Sequence, residues 1–280
     1  MRAASDPAPP AAFAGHLHLE AEAGPAGPTI LARQSFRAPF HIGKSYWDGH
    51  ALQVRIINPT AGILEGDELE LAIKVGAGAA LLLVTPAATR AFQMKAGRAT
   101  CRQDFAVAAG GWLECAPEPL FPHRASDYRQ DTRLAVADGG ELYYVDALAP
   151  GRAGGGELWA WRRLRIGLEV ELGGRLLLRE RLDCAGAELE RLAAFHGAAE
   201  AWLATVVLIS AQLNPEVGLW EQVRALAGPG CQLAPTRLRE AGWIVRIAAD
   251  SSPKLRGALE ALRTLCAAAL PRLRSDLRRV

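Results

Sequence analysis

Four acidic residues, Asp67, Glu118, Asp146 and Glu157, stand beside candidate turns in this chain. Carboxylate oxygens are hard donors, and several of them along one groove or channel could hand on a divalent ion. The same residues also fit ordinary turn chemistry and solvated edges, because short acidic side chains bond to nearby backbone amides. Both readings stay open at this level. His16 and His18 form a second candidate group. Two residues apart on a strand, they share one face, and imidazole is a good transition-metal ligand. No third ligand accompanies them, so they are weak metal candidates and fit better the polar side of an edge strand. Five cysteines, Cys101, Cys115, Cys184, Cys231 and Cys266, are widely spaced and form no C-x-x-C pair. That pattern fits reduced thiols in a cytosolic protein, with neither a disulfide framework nor a structural zinc site.

Much familiar chemistry is absent from the sequence. There is no G-x-x-x-x-G-K-[ST] loop, no G-x-G-x-x-G turn, no G-x-S-x-G elbow and no H-E-x-x-H helix. Ser, His and Asp occur, but no spacing groups them, so an enzyme is not expected. A net charge of +2 argues against a nucleic-acid binder. Arg272, Arg274, Arg278 and Arg279 gather at the C-terminus, as a solvated helix end or a patch for an acidic partner. The N-terminus lacks the apolar core of a signal peptide, and no apolar run approaches the roughly 20 residues that span a bilayer. The expectation is a cytoplasmic protein that engages neither membrane nor nucleic acid.

The elements that must position these residues are mostly strands. One phrase recurs four times: a valine, two residues, a glycine, then apolar residues. Its copies begin at Val75, Val107, Val136 and Val170, with spacings of 32, 29 and 34 residues. Such a period suggests stacked supersecondary units, each read as strand, tight glycine turn, strand. The expected fold is mainly β, a β-helix-like stack of strand-turn-strand units with two α-helices in the C-terminal part. Residues 1–12 read as a disordered Ala/Pro-rich tail. Residues 13–280 read as a single domain, with a β-rich body to about residue 210 and a helix-strand-strand-helix segment over 214–270. Strands are expected at 15–22, 29–36, 51–57, 159–171 and 205–209. Leu81–Val84 is apolar without alternation, which predicts a strand covered on both faces. Residues 114–124 carry three prolines and predict an irregular or edge segment. Asn214-Pro215 and Ser252-Pro253 predict helix starts, with strands near 231–238 and 242–248 between the helices. The Ala/Glu-rich stretch 187–200 has helical composition but weaker signals.

Several segments, in order, resemble the urease accessory protein UreD (UreH) family. Asn58-Pro-Thr-Ala-Gly-Ile-Leu-Glu-Gly-Asp-Glu-Leu69 is similar to the family's glycine-rich loop P-x-G-G-x-x-G-G-D-x-L. Val75-Gly-Ala-Gly-Ala, Thr85-Pro-Ala-Ala-Thr-Arg-Ala-Phe92, Leu113-Glu-Cys-Ala-Pro-Glu-Pro-Leu-Phe121, Gly151-Arg-Ala-Gly-Gly-Gly-Glu157 and Leu176-Leu-Leu-Arg-Glu-Arg181 resemble further family segments. The likeness runs from about Arg33 to the C-terminus. Ala61 and Glu65 depart from usual glycines, Arg90 from a usual lysine and Gln93 from a usual arginine.

The resemblance implies a β-helix-like body, two helices near the C-terminus and a non-enzymatic role in urease maturation. It implies a complex with a UreF-like chaperone, a UreG-like GTPase and the urease apoprotein. That complex supports lysine carbamylation and nickel insertion, with nickel in transit and no cofactor held permanently. The matching site positions are Asp67, Thr85, Glu118 and Glu157; Asp146 joins them from its place on the third copy of the phrase. Two other functions are compatible with the residues. One is a β-solenoid enzyme acting on polysaccharide, which needs paired carboxylates in a cleft. The other is a plain protein-interaction module.

Overall fold

The computed structural model describes residues 12–25, 27–195, 200–213, 218–239 and 242–274. In chain order the strands are β1 (Ala14–Ala23), β2 (Thr29–Phe36), β3 (His41–Ile42), β4 (Tyr46–Asp48), β5 (Ala51–Ile57), β6 (Glu68–Val75), β7 (Ala80–Val84), β8 (Thr89–Ala91), β9 (Ala99–Val107), β10 (Trp112–Ala116), β11 (Leu120–Pro122), β12 (Asp127–Val136), β13 (Glu141–Leu148), β14 (Gly151–Arg152), β15 (Glu157–Leu158), β16 (Arg163–Leu172), β17 (Arg175–Cys184), β18 (Trp202–Ile209), β19 (Cys231–Arg237) and β20 (Gly242–Ala249). Three α-helices accompany them among the described residues: α1 (Gly186–Phe195), α2 (Leu219–Ala225) and α3 (Ser252–Ala269).

The chain winds as a β-solenoid-like stack of about four turns. In the first sheet β1, β6, β9, β12 and β16 run parallel, with β2 and β17 added antiparallel at the two edges. In the second sheet β5, β7, β10 and β13 run parallel, and β18, β20 and β19 extend it antiparallel. A short third ladder links Ile63, β8, β11 and the end of β13. Alternation sets what each strand buries. β6 turns Leu69, Leu71, Ile73 and Val75 inward and Glu68, Glu70 and Lys74 outward. Stacking in register then builds apolar rows across the turns. Ala21, Val75, Val107, Val136 and Leu172 form one such row, and Leu19, Ile73, Phe105, Leu134 and Val170 the next; every member is buried.

The recurring valine-glycine phrase has two structural meanings. Its first three copies are corners, not reversals: they carry the chain from β6 to β7, β9 to β10 and β12 to β13, from one sheet to the other. Backbone hydrogen bonds continue round these corners, from Ala108 N to Val75 O at 2.9 Å and from Ala137 N to Val107 O at 2.8 Å. Gly110 and Gly139 hold φ of 71° and 79°, the left-handed region open to glycine. Their neighbours Gly111 and Gly140 are glycines for another reason. An added Cβ would lie 2.9 Å from Gly76 O or 2.8 Å from Ala108 O, in the backbone of the preceding turn. The fourth copy is a true hairpin, with Gly173 and Gly174 both at positive φ between antiparallel β16 and β17. Its valine is also out of step, since Leu172, not Val170, pairs with Val136.

Other expectations divide in the same way. The prolines after Cys115 end β10 but do not push it to an edge, because β10 lies between β7 and β13. The strand expected from Trp159 starts at Arg163. Helix α3 begins where Ser252-Pro253 predicts, with Ser251 as the cap position. Asn214 and Pro215 lie outside the described residues, and α2 begins at Leu219. The Ala/Glu-rich stretch forms a helix up to Phe195, α1, and Glu188 accepts a bond from Ala185 N at 2.7 Å at its start; residues 196–199 lie outside the described residues. Residues 1–11 and the side chains of Arg274, Arg278 and Arg279 lie outside the described residues.

Helices α2 and α3 pack on the outer face of the second sheet. Leu255, Leu262 and Cys266 of α3 join Leu82, Trp112, Tyr143 and Val145 there, while Leu81 and Leu83 face the coil interior. Both faces of Leu81–Val84 are thus covered, as its lack of alternation predicts. One charge sits in this apolar layer. Glu114 is fully buried and takes both arms of Arg263, Nε to Oε1 at 2.6 Å and Nη2 to Oε2 at 3.2 Å. Burial pushes the Glu114 carboxyl up, and the guanidinium pulls it back only in part.

Stability measurements on three variants follow from this geometry. Gly111→Ala forces Cβ into the neighbouring turn's backbone and should cost about 1–3 kcal/mol in urea unfolding. Gly154→Ala should be near neutral, since an added Cβ there meets nothing within 4 Å. Arg263→Ala leaves Glu114 buried without its guanidinium and should cost about 3–5 kcal/mol by the same assay.

Candidate functional site

Two inward rows of the first sheet are interrupted by polar side chains. Gln103 and Thr132 stand in the row of Leu17, Leu71 and Leu168, and Cys101 and Gln130 in the row of Leu69 and Ile166. Facing them, β13 turns Tyr144 and Asp146 inward, and β10 turns Cys115 inward. All of these polar side chains but Thr132, which sits behind Gln103, line a cavity of about 240 Å³ inside the coil. It opens among the segments 56–62, 85–90 and 117–118, at the end of the coil opposite the glycine corners.

The cavity's polar groups form a loose relay. Tyr128 Oη donates to Gln130 Oε1 at 3.3 Å, and Gln130 Nε2 donates to Asp146 Oδ2 at 3.4 Å. Thr132 Oγ1 and Tyr144 Oη both donate to Gln103 Oε1, at 3.3 and 3.5 Å. These lengths are at the weak end of the hydrogen-bond range, so the groups can rearrange toward a guest at small cost. Burial pushes the Asp146 carboxyl up to about 6. It also pushes the Cys101 thiol up to about 11 and the Cys115 thiol up to about 12. A carboxylate, amide oxygens and hydroxyls around one space are oxygen donors suited to a divalent cation, while both thiols are held in the protonated form. Among the described residues no three His, Cys, Asp or Glu side chains cluster tightly enough to hold a metal ion.

The residues singled out from sequence fall into two groups. Thr85, Glu118 and Asp146 come together on the cavity wall. Thr85 Oγ1 accepts a bond from Glu118 N at 2.8 Å, which ties the two mouth segments together. Asp67, Glu157, His16 and His18 lie elsewhere. Asp67 is buried and accepts bonds from Phe13 N at 2.9 Å and Leu64 N at 2.8 Å, so it fixes the loop that leads to the mouth. Glu157 pairs with Arg152 at 3.6 Å beside the β14–β15 ladder. His16 and His18 share the outer face of the first sheet with ring centroids 4.8 Å apart; His16 meets Ser35 and His18 meets Glu70.

The departures from the family pattern also find places. Ala61 and Arg90 line the mouth, and Gln93 is exposed. Glu65 takes three backbone amides, from Lys95, Ala96 and Gly97, while Arg162 bonds the carbonyls of Met94, Lys95 and Gly97 from the other side. Those amides hold the Glu65 carboxyl below the usual range. Gln103, Gln130 and Thr132 are the site residues that motif reading missed. Their signal was local: each is polar at an inward position of an otherwise apolar alternation.

Asp146 gives a pH-dependent prediction. Its carboxyl stands near 6 when folded, against 3.8 ordinarily, so within that window the folded chain binds the extra proton. Stability should therefore fall as pH rises through the window and level off above it. Asp146→Asn removes this loss. The stability difference between variant and parent should grow by up to about 2–3 kcal/mol from about pH 4 to about pH 7, read by urea unfolding at each pH.

Comparison with known proteins places these features in a family. The family model described as UreD urease accessory protein matches residues 14–280. A protein of Opitutus terrae named Urease accessory protein UreD is 50% identical over 273 residues, 96% of this chain and 99% of that protein. Proteins of the same name from Sorangium cellulosum and Acetivibrio thermocellus are similar too. The first is 34% identical over 84% of this chain and 75% of its own length, the second 28% identical over 85% and 92%.

Proposed function

This chain belongs to the UreD urease accessory protein family, and on that premise we propose that it is a scaffold and metallochaperone that relays nickel to the urease apoprotein. The family gives it a role in urease maturation. The finer reading adds a UreF-like chaperone and a UreG-like GTPase as partners, nickel as cargo in transit, and no catalysis by the chain itself. One observation carries it. A coil packed elsewhere with aliphatic rows sets Asp146, Gln130, Gln103 and two thiols around a single cavity whose mouth bears Thr85 and Glu118.

Burying such groups on bonds of 3.3–3.5 Å only partly offsets the cost of removing them from water. Relay requires the cation to enter and leave, and an open donor set with long hydrogen bonds suits that better than a closed three- or four-ligand site. In this reading Glu118 and Thr85 receive the ion at the mouth and Asp146 takes it within. Asp67 sets the mouth loop, and Glu157 contributes at the flank as a partner contact. The five free cysteines fit a reducing cytoplasm. Among the described residues no helix is long and apolar enough to cross a membrane.

The test is co-expression with a urease operon that lacks its own UreD homologue, at limiting nickel. The chain should restore nickel-dependent urease activity. Asp146→Asn and Glu118→Gln should each lower that activity by about tenfold while pull-down of the partner complex is retained. Full activity in both variants with binding intact would put a plain interaction module in place of the relay.

A further inference from the structure

We propose that Arg256 of α3 is a latch on Glu118, holding the mouth carboxylate outside the cavity until a cation displaces it; the inference rests on the relay reading above. The wall around Glu118 separates two spaces. On one side is the interior cavity. On the other is a cleft of about 540 Å³ between α3 and residues 116–119, and Glu118 lines both. Its backbone is fixed by the Thr85 hydroxyl, but its side chain is half-exposed and meets Arg256 Nη2 at 3.6 Å. The carboxylate thus lies between the Arg256 guanidinium in the cleft and the cavity, whose mouth Arg90 also lines.

The neighbouring pair shows why this contact is built to open. Arg256 and Arg263 stand seven residues apart on α3, two helical turns, and so project from one side. They reach Glu118 and Glu114, four residues apart on one segment. Arg263 grips Glu114 with two short bonds in a dry layer, and together with Leu255, Leu262 and Cys266 it anchors the helix. The Arg256 contact is long and solvated, a kind of pair that contributes little to stability. It is not needed to seat α3. Its effect is local: it neutralises the mouth carboxylate and places a positive charge beside the path of a cation.

The experiment measures Ni²⁺ affinity of the full chain by competition with a chromophoric chelator, and urease activation in the co-expression system. Arg256→Gln should raise Ni²⁺ affinity by about three- to tenfold, as expected for removing one competing charge near a partly solvated site. Arg256→Lys should stay near the parent. In an Glu118→Gln background the gain should vanish, because the latch acts through that carboxylate. Thermal midpoints should be unchanged for these exposed positions; if Arg256→Gln does not fold, Arg256→Ala reads the same affinity. No gain with Arg256→Gln, or an equal gain with Glu118 replaced, overturns the latch while leaving the relay intact. Unchanged affinity and activation in both Glu118→Gln and Asp146→Asn overturns the relay itself, and the latch with it.

Discussion

The lateral backbone hydrogen bond between one turn of the coil and the next is the constraint on which this structure depends. It runs along both parallel sheets and round the glycine corners, so each residue has a fixed neighbour in the turns above and below. A parallel ladder admits no slip of one residue without turning a whole inward row to solvent. The register therefore converts a property of single strands, alternation, into a property of the molecule, continuous interior rows. It also dictates the second glycine at the second and third corners, Gly111 and Gly140, where the preceding turn's backbone leaves no space for a Cβ.

Given that register, a polar residue at an inward position cannot escape. Gln103 on β9 and Gln130 and Thr132 on β12 come from successive turns and fall into adjacent rows, and the opposite sheet brings Tyr144 and Asp146 against them. The cavity is the place where the aliphatic rows stop. Its mouth lies at the loop end because the corner end is closed by tightly stacked turns. The outer face of the first sheet, by contrast, carries cross-strand ion pairs such as Arg133–Glu171 and Lys74–Glu20, and faces solvent.

The second sheet is covered twice, by the coil core and by α2 and α3. That double burial lets a helix of the C-terminal segment act on a segment more than a hundred residues earlier in the chain. The Glu114–Arg263 pair is costly to desolvate, and its two-armed geometry specifies one seating of α3 over the sheet. With that seating fixed, Arg256 arrives beside Glu118, and the outer cleft and the inner cavity share a wall.

Much of the fold was legible in the sequence. The alternation of Leu17 and Leu19 against His16 and His18, the unalternating Leu81–Val84 and the Ser-Pro start of α3 all report local physics, and local physics survives folding. The valine-glycine phrase announced a stack, but its meaning was not local. Val-x-x-Gly makes a corner when the next strand finds a partner in another sheet and a hairpin when it returns to its own, as the fourth copy does, two residues out of step with the other three. The same holds for the site. Sequence picked out Thr85, Glu118 and Asp146 together with Asp67, Glu157 and two histidines, and one dimension offers no means of separating these groups. Residue types and alternation determined which side chains point inward. Only the lateral register and the docking of α3 decided which of them meet, because residues tens to more than a hundred positions apart are brought within contact by hydrogen bonds that the sequence permits but does not name.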